Sequence, residues 1–150
     1  MEAIEHIDYS FINPRCSCFN LRRASRAMTQ YFDHMLEPAG IRATQFTLLV
    51  SMATLHTSTL TELADSLVMD RTTLTRNLKP LEKMNFIVTL QPRDKRSKAY
   101  VLNENGRAVL AKAIPLWQRA QEKIQQELGQ ERYNLLLREL DAITKIVVDK

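Results

Sequence analysis

The chain has little of what catalysis or a cross-linked scaffold needs: 2 cysteines and 3 glycines in 150 residues. Two thiols are too few for a disulfide-stapled fold and are expected to be reduced in a cytosol. Gly40, Gly106 and Gly129 are scattered, which excludes the glycine-rich phosphate loops of nucleotide-binding enzymes. No serine or cysteine lies in a nucleophile motif beside a base, so the chain reads as no enzyme. A cysteine-based peroxidase is the one catalytic class left open, and stoichiometric peroxide consumption would exclude it. The longest apolar stretch, Phe46 to Leu55, is broken by Ser51 and Thr54 and falls far short of the roughly 20 residues of a membrane span. Acids stand in Met1 to Asp8 where a secretory leader would carry cations, so a cytoplasmic protein without a membrane partner is expected. The 3 histidines make no zinc-like spacing. His34 lies sixteen residues beyond Cys18, about 24 Å along a helix. Neither a metal nor a cofactor is expected.

What is present is concentrated between Leu60 and Leu102. In the run Asp70 to Lys83, Leu74, Leu78 and Leu81 share one stripe of a helix turning about 100° per residue, while Thr72, Thr75, Arg76, Lys79 and Lys83 fall opposite. Asp70 is placed as an N-cap, so the helix starts at Arg71. Upstream, Thr59-Leu60-Thr61-Glu62 matches a capping box, and Leu60, Leu63, Ala64 and Leu67 continue at helical spacing. Val68-Met69-Asp70 separates the two helices, the turn length of a helix-turn-helix. Downstream the period changes: two β-rich runs, Phe86 to Gln91 and Lys98 to Leu102, flank the charged loop Pro92 to Ser97.

Eight cations (Arg71, Arg76, Lys79, Lys83, Arg93, Lys95, Arg96, Lys98) stand against two acids (Glu82, Asp94) in this region, a local excess of +6 that leaves −2 for the rest of a chain with net charge +4. Positive charge gathered on one helix and one hairpin is the electrostatic footprint of a phosphate-binding surface. A protein-binding helical adaptor would leave that cluster unexplained. Arg71, Thr72, Thr73, Thr75, Arg76 and Lys79 are the candidate DNA-contacting residues of the helix, with Arg76 reading a base edge.

Around this centre the chain reads as helix. Asn13-Pro14 looks like a helix entry, the helix running to Leu36 or Glu37 before Pro38-Ala39-Gly40. Arg22, Arg23 and Arg26 read as its solvated face. Residues 45–56 form a second helix, apolar nearly all round and therefore expected in a core. Asn103 to Gly106 opens a long helix to Leu128, with Pro115 bending it and Gly129 closing it at C′. A last helix carries Tyr133, Leu136, Leu137, Leu140, Ile143 and Val147 on one face. A lobe of this size cannot cover so much apolar helix, so a two-fold homodimer is expected, with recognition helices about 34 Å apart on a pseudo-palindromic operator.

The run ELADSLVMDRTTLTRNLKPLEKMNFIV, the wing PRDKRSKAYVLNENG and the flanking helices resemble the MarR family of bacterial winged-helix regulators over almost the whole chain. The resemblance implies a mainly α fold with a small β-wing: a winged helix-turn-helix lobe (44–102) and dimerisation helices (13–37 and 104–148) in a single domain, 1–150, forming a homodimer. It implies a double-stranded-DNA-binding transcriptional regulator, a repressor released by a small-molecule effector. Asp94-Lys95-Arg96 is similar to the family's wing signature, with Arg96 entering the minor groove, Asp94 steadying the wing, and Arg93, Lys95 and Lys98 touching phosphate. Relatives often have Gly in the turn where this chain has Val68. An effector crevice between lobe and dimerisation helices would be lined by Tyr31, Phe46 and Trp117, though aromatic residues at helical spacing are more often core. The alternative is a redox-sensing repressor switched by oxidation of Cys18: the segment from Cys18 to Thr29 is similar to the first helix of the family's peroxide-sensing OhrR branch, with Arg22 and Phe32 at that branch's tyrosine positions. The bland reading of Cys16 and Cys18 is two small helix residues, pointing about 200° apart and so unsuited to a local disulfide.

Overall fold

The computed structural model describes residues 8–56, 58–91 and 98–148. Its elements in chain order are α1 (Ile12–Arg15), α2 (Ser17–Leu36), α3 (Ala43–Leu55), β1 (Ser58–Thr59), α4 (Leu60–Ser66), α5 (Arg71–Lys83), β2 (Ile87–Leu90), β3 (Ala99–Leu102), α6 (Glu104–Leu128) and α7 (Gln130–Val148), with a 3-10 turn at Glu37–Ala39. The strands form one antiparallel sheet in the order β1-β3-β2. Val88 faces Val101 and Leu90 faces Ala99 across the hairpin.

The core follows from the apolar periodicities. Leu36, Leu48, Leu49, Met52, Leu63, Leu74, Leu78 and Leu81 are buried together with Ile87, Tyr100, Leu102, Val109 and Leu110. They seal α3, α4, α5, the sheet and the start of α6 into one lobe. The helix α3 is less enclosed than its composition suggests, because Val50 and Leu55 are exposed. Its first turn is capped from another element: the Ala43 N–H donates to the Asp33 carboxylate of α2 at 2.7 Å. The helix α2 ends at the 3-10 turn, where Gly40 takes a left-handed φ of 74°.

The first long helix does not run through from Asn13. It breaks at Cys16, whose extended backbone (φ −80°, ψ 112°) ends α1 and whose Sγ accepts the Phe19 N–H as the N-cap of α2. The Asn20 amide donates to the carbonyls of Asn13, Pro14 and Cys16 at 3.1, 3.3 and 2.9 Å. One side chain thus ties the last turn of α1 to the first turn of α2, adding to the backbone bonds that the Asn13 and Cys16 carbonyls already accept from the Cys16 and Asn20 N–H groups. Asn13 is accordingly inside α1 and caps nothing.

Beyond the lobe, α6 carries Pro115 in its interior and ends at Gly129, a C-cap residue with φ 79°. Its apolar side is buried at Val109, Leu110, Ala113 and Ala120. In α7 only Tyr133 is buried, while Leu135, Leu136, Leu137, Leu140, Ile143, Ile146, Val147 and Val148 all lie exposed. Phe11, Ile12 and Met28 are likewise exposed at the other end of the chain.

Candidate nucleic-acid interface

Two capping motifs set the helix-turn-helix. The Thr59 hydroxyl accepts the Glu62 N–H at 3.2 Å, and the Glu62 carboxylate accepts the Thr59 N–H at 2.8 Å. The Thr59 hydroxyl also donates to that carboxylate at 2.9 Å, and the Thr59 N–H first and this hydroxyl second hold the Glu62 carboxyl below its ordinary range. Asp70 caps α5 by accepting the Thr73 N–H at 2.8 Å and the Thr73 hydroxyl at 2.6 Å. Its carboxyl is likewise lowered, by the Thr73 hydroxyl first and the backbone second.

Between the helices the chain makes a paired C-terminal motif. Val68 N–H donates to the Asp65 carbonyl at 3.2 Å and Met69 N–H to the Ala64 carbonyl at 2.9 Å. Val68 takes φ 50°, a left-handed conformation that glycine adopts more readily. The branched residue accepts the strain and the turn keeps its shape.

On α5, Leu74, Leu78 and Leu81 are buried in the lobe, at 1% exposure or less. Arg71, Thr72, Arg76 and Lys79 lie exposed on the outside, with Thr73 and Thr75 half-buried. The Arg71 guanidinium donates to the Thr61 hydroxyl at 2.8 Å, which ties α5 back to α4. Thr73 spends its hydroxyl on Asp70, so it serves the cap. Thr61 was not among the residues singled out by sequence; its only signal was its place in the first turn of α4.

The wing strands are braced from behind. Thr89 donates to the Glu82 carboxylate at 2.5 Å, which joins β2 to α5. Burial, and secondarily the nearby Glu82 charge, push the Tyr100 phenol up. Lys98 is exposed where β3 begins. The candidate wing-tip residues Arg93, Asp94, Lys95 and Arg96 lie outside the described residues.

A cavity of about 300 Å³ opens between α2, α3 and α6, lined among others by Ser25, Thr29, Phe32, Phe46, Trp117 and Gln121. Phe46 and Trp117 stack with centroids 6.1 Å apart and planes inclined by 24°. Tyr31 does not line it. Its hydroxyl donates to the Ala120 carbonyl at 3.5 Å, and its ring meets Phe32 edge-on. Cys18 is exposed in the first turn of α2, and Cys16 stands before that helix as its cap. The expected angular separation of two residues on one helix therefore does not describe this pair.

Helix-turn-helix, hairpin and a cationic outward face define a winged helix-turn-helix protein. A family model, MarR family, matches residues 41–98. The organic hydroperoxide resistance transcriptional regulator of Bacillus subtilis is 30% identical over 100 residues, which cover 66% of this chain and 68% of that protein. The crystal structure of the M. tuberculosis transcriptional regulator MosR in complex with DNA is 34% identical, with a TM-score of 0.74 over 86% of this chain and 97% of that one. A mutant of E. coli MarR complexed with operator DNA is 25% identical, with a TM-score of 0.76 over 83% and 90% of the two chains. The chain belongs to the MarR family and is a transcriptional regulator, not an enzyme.

Proposed function

We propose that the protein is a cytoplasmic, homodimeric repressor that occupies a pseudo-palindromic operator and leaves it when a small molecule binds. The carrying observation is α5: its leucines are sealed in the lobe while Thr72, Arg76 and Lys79 stand on the solvent side of a helix capped by Asp70. Such a rod has the diameter to enter a major groove. Arg76 reads a base edge, possessing the fork that suits guanine, and Thr72, Thr75 and Lys79 divide base and phosphate contacts. Arg71 and Lys98 touch phosphate, as do Arg93 and Lys95, while Arg96, steadied by Asp94, enters the minor groove.

Dimerisation is supported by the apolar face of α7 together with Phe11, Ile12 and Met28, all exposed in a single chain. Monomers rarely leave so many large apolar side chains in water. A two-fold axis through these helices presents two copies of α5 to one duplex. The aromatic cavity between α2, α3 and α6 joins those helices to the lobe, and an effector seated on the Phe46–Trp117 stack would shift α5 relative to its twin.

A gel shift against random-sequence competitor tests this reading. Arg76→Ala should cost about 1–3 kcal/mol and relax preference at a single base position. If about eight phosphates are neutralised, log K should fall against log salt with a slope near −7. Equal weakening on every sequence would make Arg76 a phosphate contact and remove the base-reading assignment.

The cysteines favour a second reading, redox release. Cys18 is exposed two residues past the α1–α2 break at Cys16, so its oxidation would disturb the entry to the dimerisation helix. The hydroperoxide-resistance relative adds weight to it. Cys18→Ser should abolish peroxide-dependent loss of DNA binding; an unchanged response ends this reading.

A further inference from the structure

Two asparagines that neither the recognition face nor the effector cavity uses form a joint between the end of α5 and the start of α6. Asn85 lies just past α5 with φ 56°, a left-handed backbone that turns the chain out of the helix. Its N–H donates to the Glu82 carbonyl at 2.9 Å and the next N–H, of Phe86, to the Leu81 carbonyl at 3.0 Å. Neither bond uses the Asn85 carbonyl or its side-chain oxygen. The amide of Asn103 takes both: its Nδ2 donates to the Asn85 carbonyl at 2.9 Å and to the Asn85 Oδ1 at 3.2 Å.

Asn103 is also the N-cap of α6, its Oδ1 accepting the Gly106 N–H at 3.0 Å. Its backbone N–H donates to the Phe86 carbonyl at 3.2 Å. One side chain therefore caps α6 with its oxygen and holds the exit of α5 with its nitrogen. The start of α6 lies so close to the turn that leaves α5 that a Cβ on Gly106 would sit 2.2 Å from the Phe86 carbonyl oxygen.

We infer that Asn103 is a positioning residue for DNA recognition, locking the angle between the recognition helix and α6 through Asn85. The inference rests on the dimeric DNA-binding reading for its consequence, because α6 carries each lobe to the dimer region and α5 meets the duplex. Play at this joint becomes play in the distance between the two recognition helices. The clamp thus sets how strictly the protein discriminates half-site spacing.

Asn103→Asp and Asn103→Ser separate the two jobs. Both keep an oxygen that caps α6, and both lose the donor that reaches Asn85. Spin labels at Lys79 and Lys112 of one protomer, diluted with unlabelled chain, in a Cys16→Ser, Cys18→Ser background, report the α5–α6 distance. Both variants should broaden that distribution while the thermal midpoint stays close to the parent's. On the duplex that the wild-type chain enriches from a random pool, the penalty for adding or removing one base pair between half-sites should shrink by about fivefold, the worth of one net hydrogen bond. An unbroadened distribution in either folded variant, or a penalty that stays at the wild-type value, overturns the inference. If the wild-type chain enriches no duplex, the DNA-binding reading fails and the distance measurement alone decides the clamp.

Discussion

Replacing Gly106 with alanine should destabilise the protein, against the usual direction for a helix interior. Glycine within α6 normally costs about 1 kcal/mol relative to alanine, so Gly106→Ala would ordinarily stabilise by that amount. Here the added methyl would lie 2.2 Å from the Phe86 carbonyl oxygen and 2.5 Å from Leu102 Cδ2. Leu102 can rotate, but its 4% exposure leaves it little room, and a backbone carbonyl can move only with its strand. Overpacking of this kind costs about 1–3 kcal/mol. Displacing Phe86 also lengthens the Asn103 N–H to Phe86 carbonyl bond, now 3.2 Å, whose loss costs about 1 kcal/mol more. The balance is about 1–3 kcal/mol of destabilisation, on the order of 2–10 °C in midpoint for a chain of this size. Urea unfolding followed by far-ultraviolet circular dichroism, at one fixed protomer concentration, measures it. A variant stabilised by about 1 kcal/mol would show an ordinary helical glycine and refute the close approach of α6 to Phe86.

Other expectations follow from the same geometry. Val68→Gly should relieve about 1–2 kcal/mol of left-handed strain and give back about 0.5–1 kcal/mol in unfolded-state entropy, raising the urea midpoint slightly; a clear fall would show that the turn is not left-handed. The Thr73 hydroxyl, and secondarily its N–H, hold the Asp70 carboxyl below the ordinary aspartate range in the folded chain, so its contribution is present above that range and is lost as acid is added through its folded value. Asp70→Asn, which keeps the capping oxygen, should flatten that part of the acid limb, and an unaltered profile would remove Asp70 from the pH dependence. Leu140→Glu, on the exposed face of α7, should give monomers in sedimentation and weaken operator binding; a variant still dimeric at micromolar concentration would place the interface elsewhere.

The helix-turn-helix was legible because its signals are local. Thr59 with Glu62, and Asp70 with its first turn, mark helix starts within four residues, and Leu74, Leu78 and Leu81 mark the inward face by spacing alone. The features that escaped depend on partners remote in sequence or on backbone conformation. The break at Cys16 is held by Asn20 reaching back over three carbonyls, a pattern no periodicity displays. The cap of α3 comes from Asp33, ten residues away on another helix. The two-residue strand β1 follows His56, which has φ 60°, and exists because β3 offers it an edge. The pattern put Tyr31 in the crevice with Phe46 and Trp117, but rotation along α2 carries its hydroxyl to the Ala120 carbonyl instead. The joint of Asn85 and Asn103 spans eighteen residues and two backbone turns, and neither amide announces its partner.

The bare flank of α7 ties heredity to assembly. On the proposed dimeric reading, a copy whose groove-reading side chains have been ruined, but whose oily helices are whole, would still pair with an intact copy and draw it off its DNA. Lesions in the rod should therefore be dominant when both alleles are expressed, and lesions in the flank recessive.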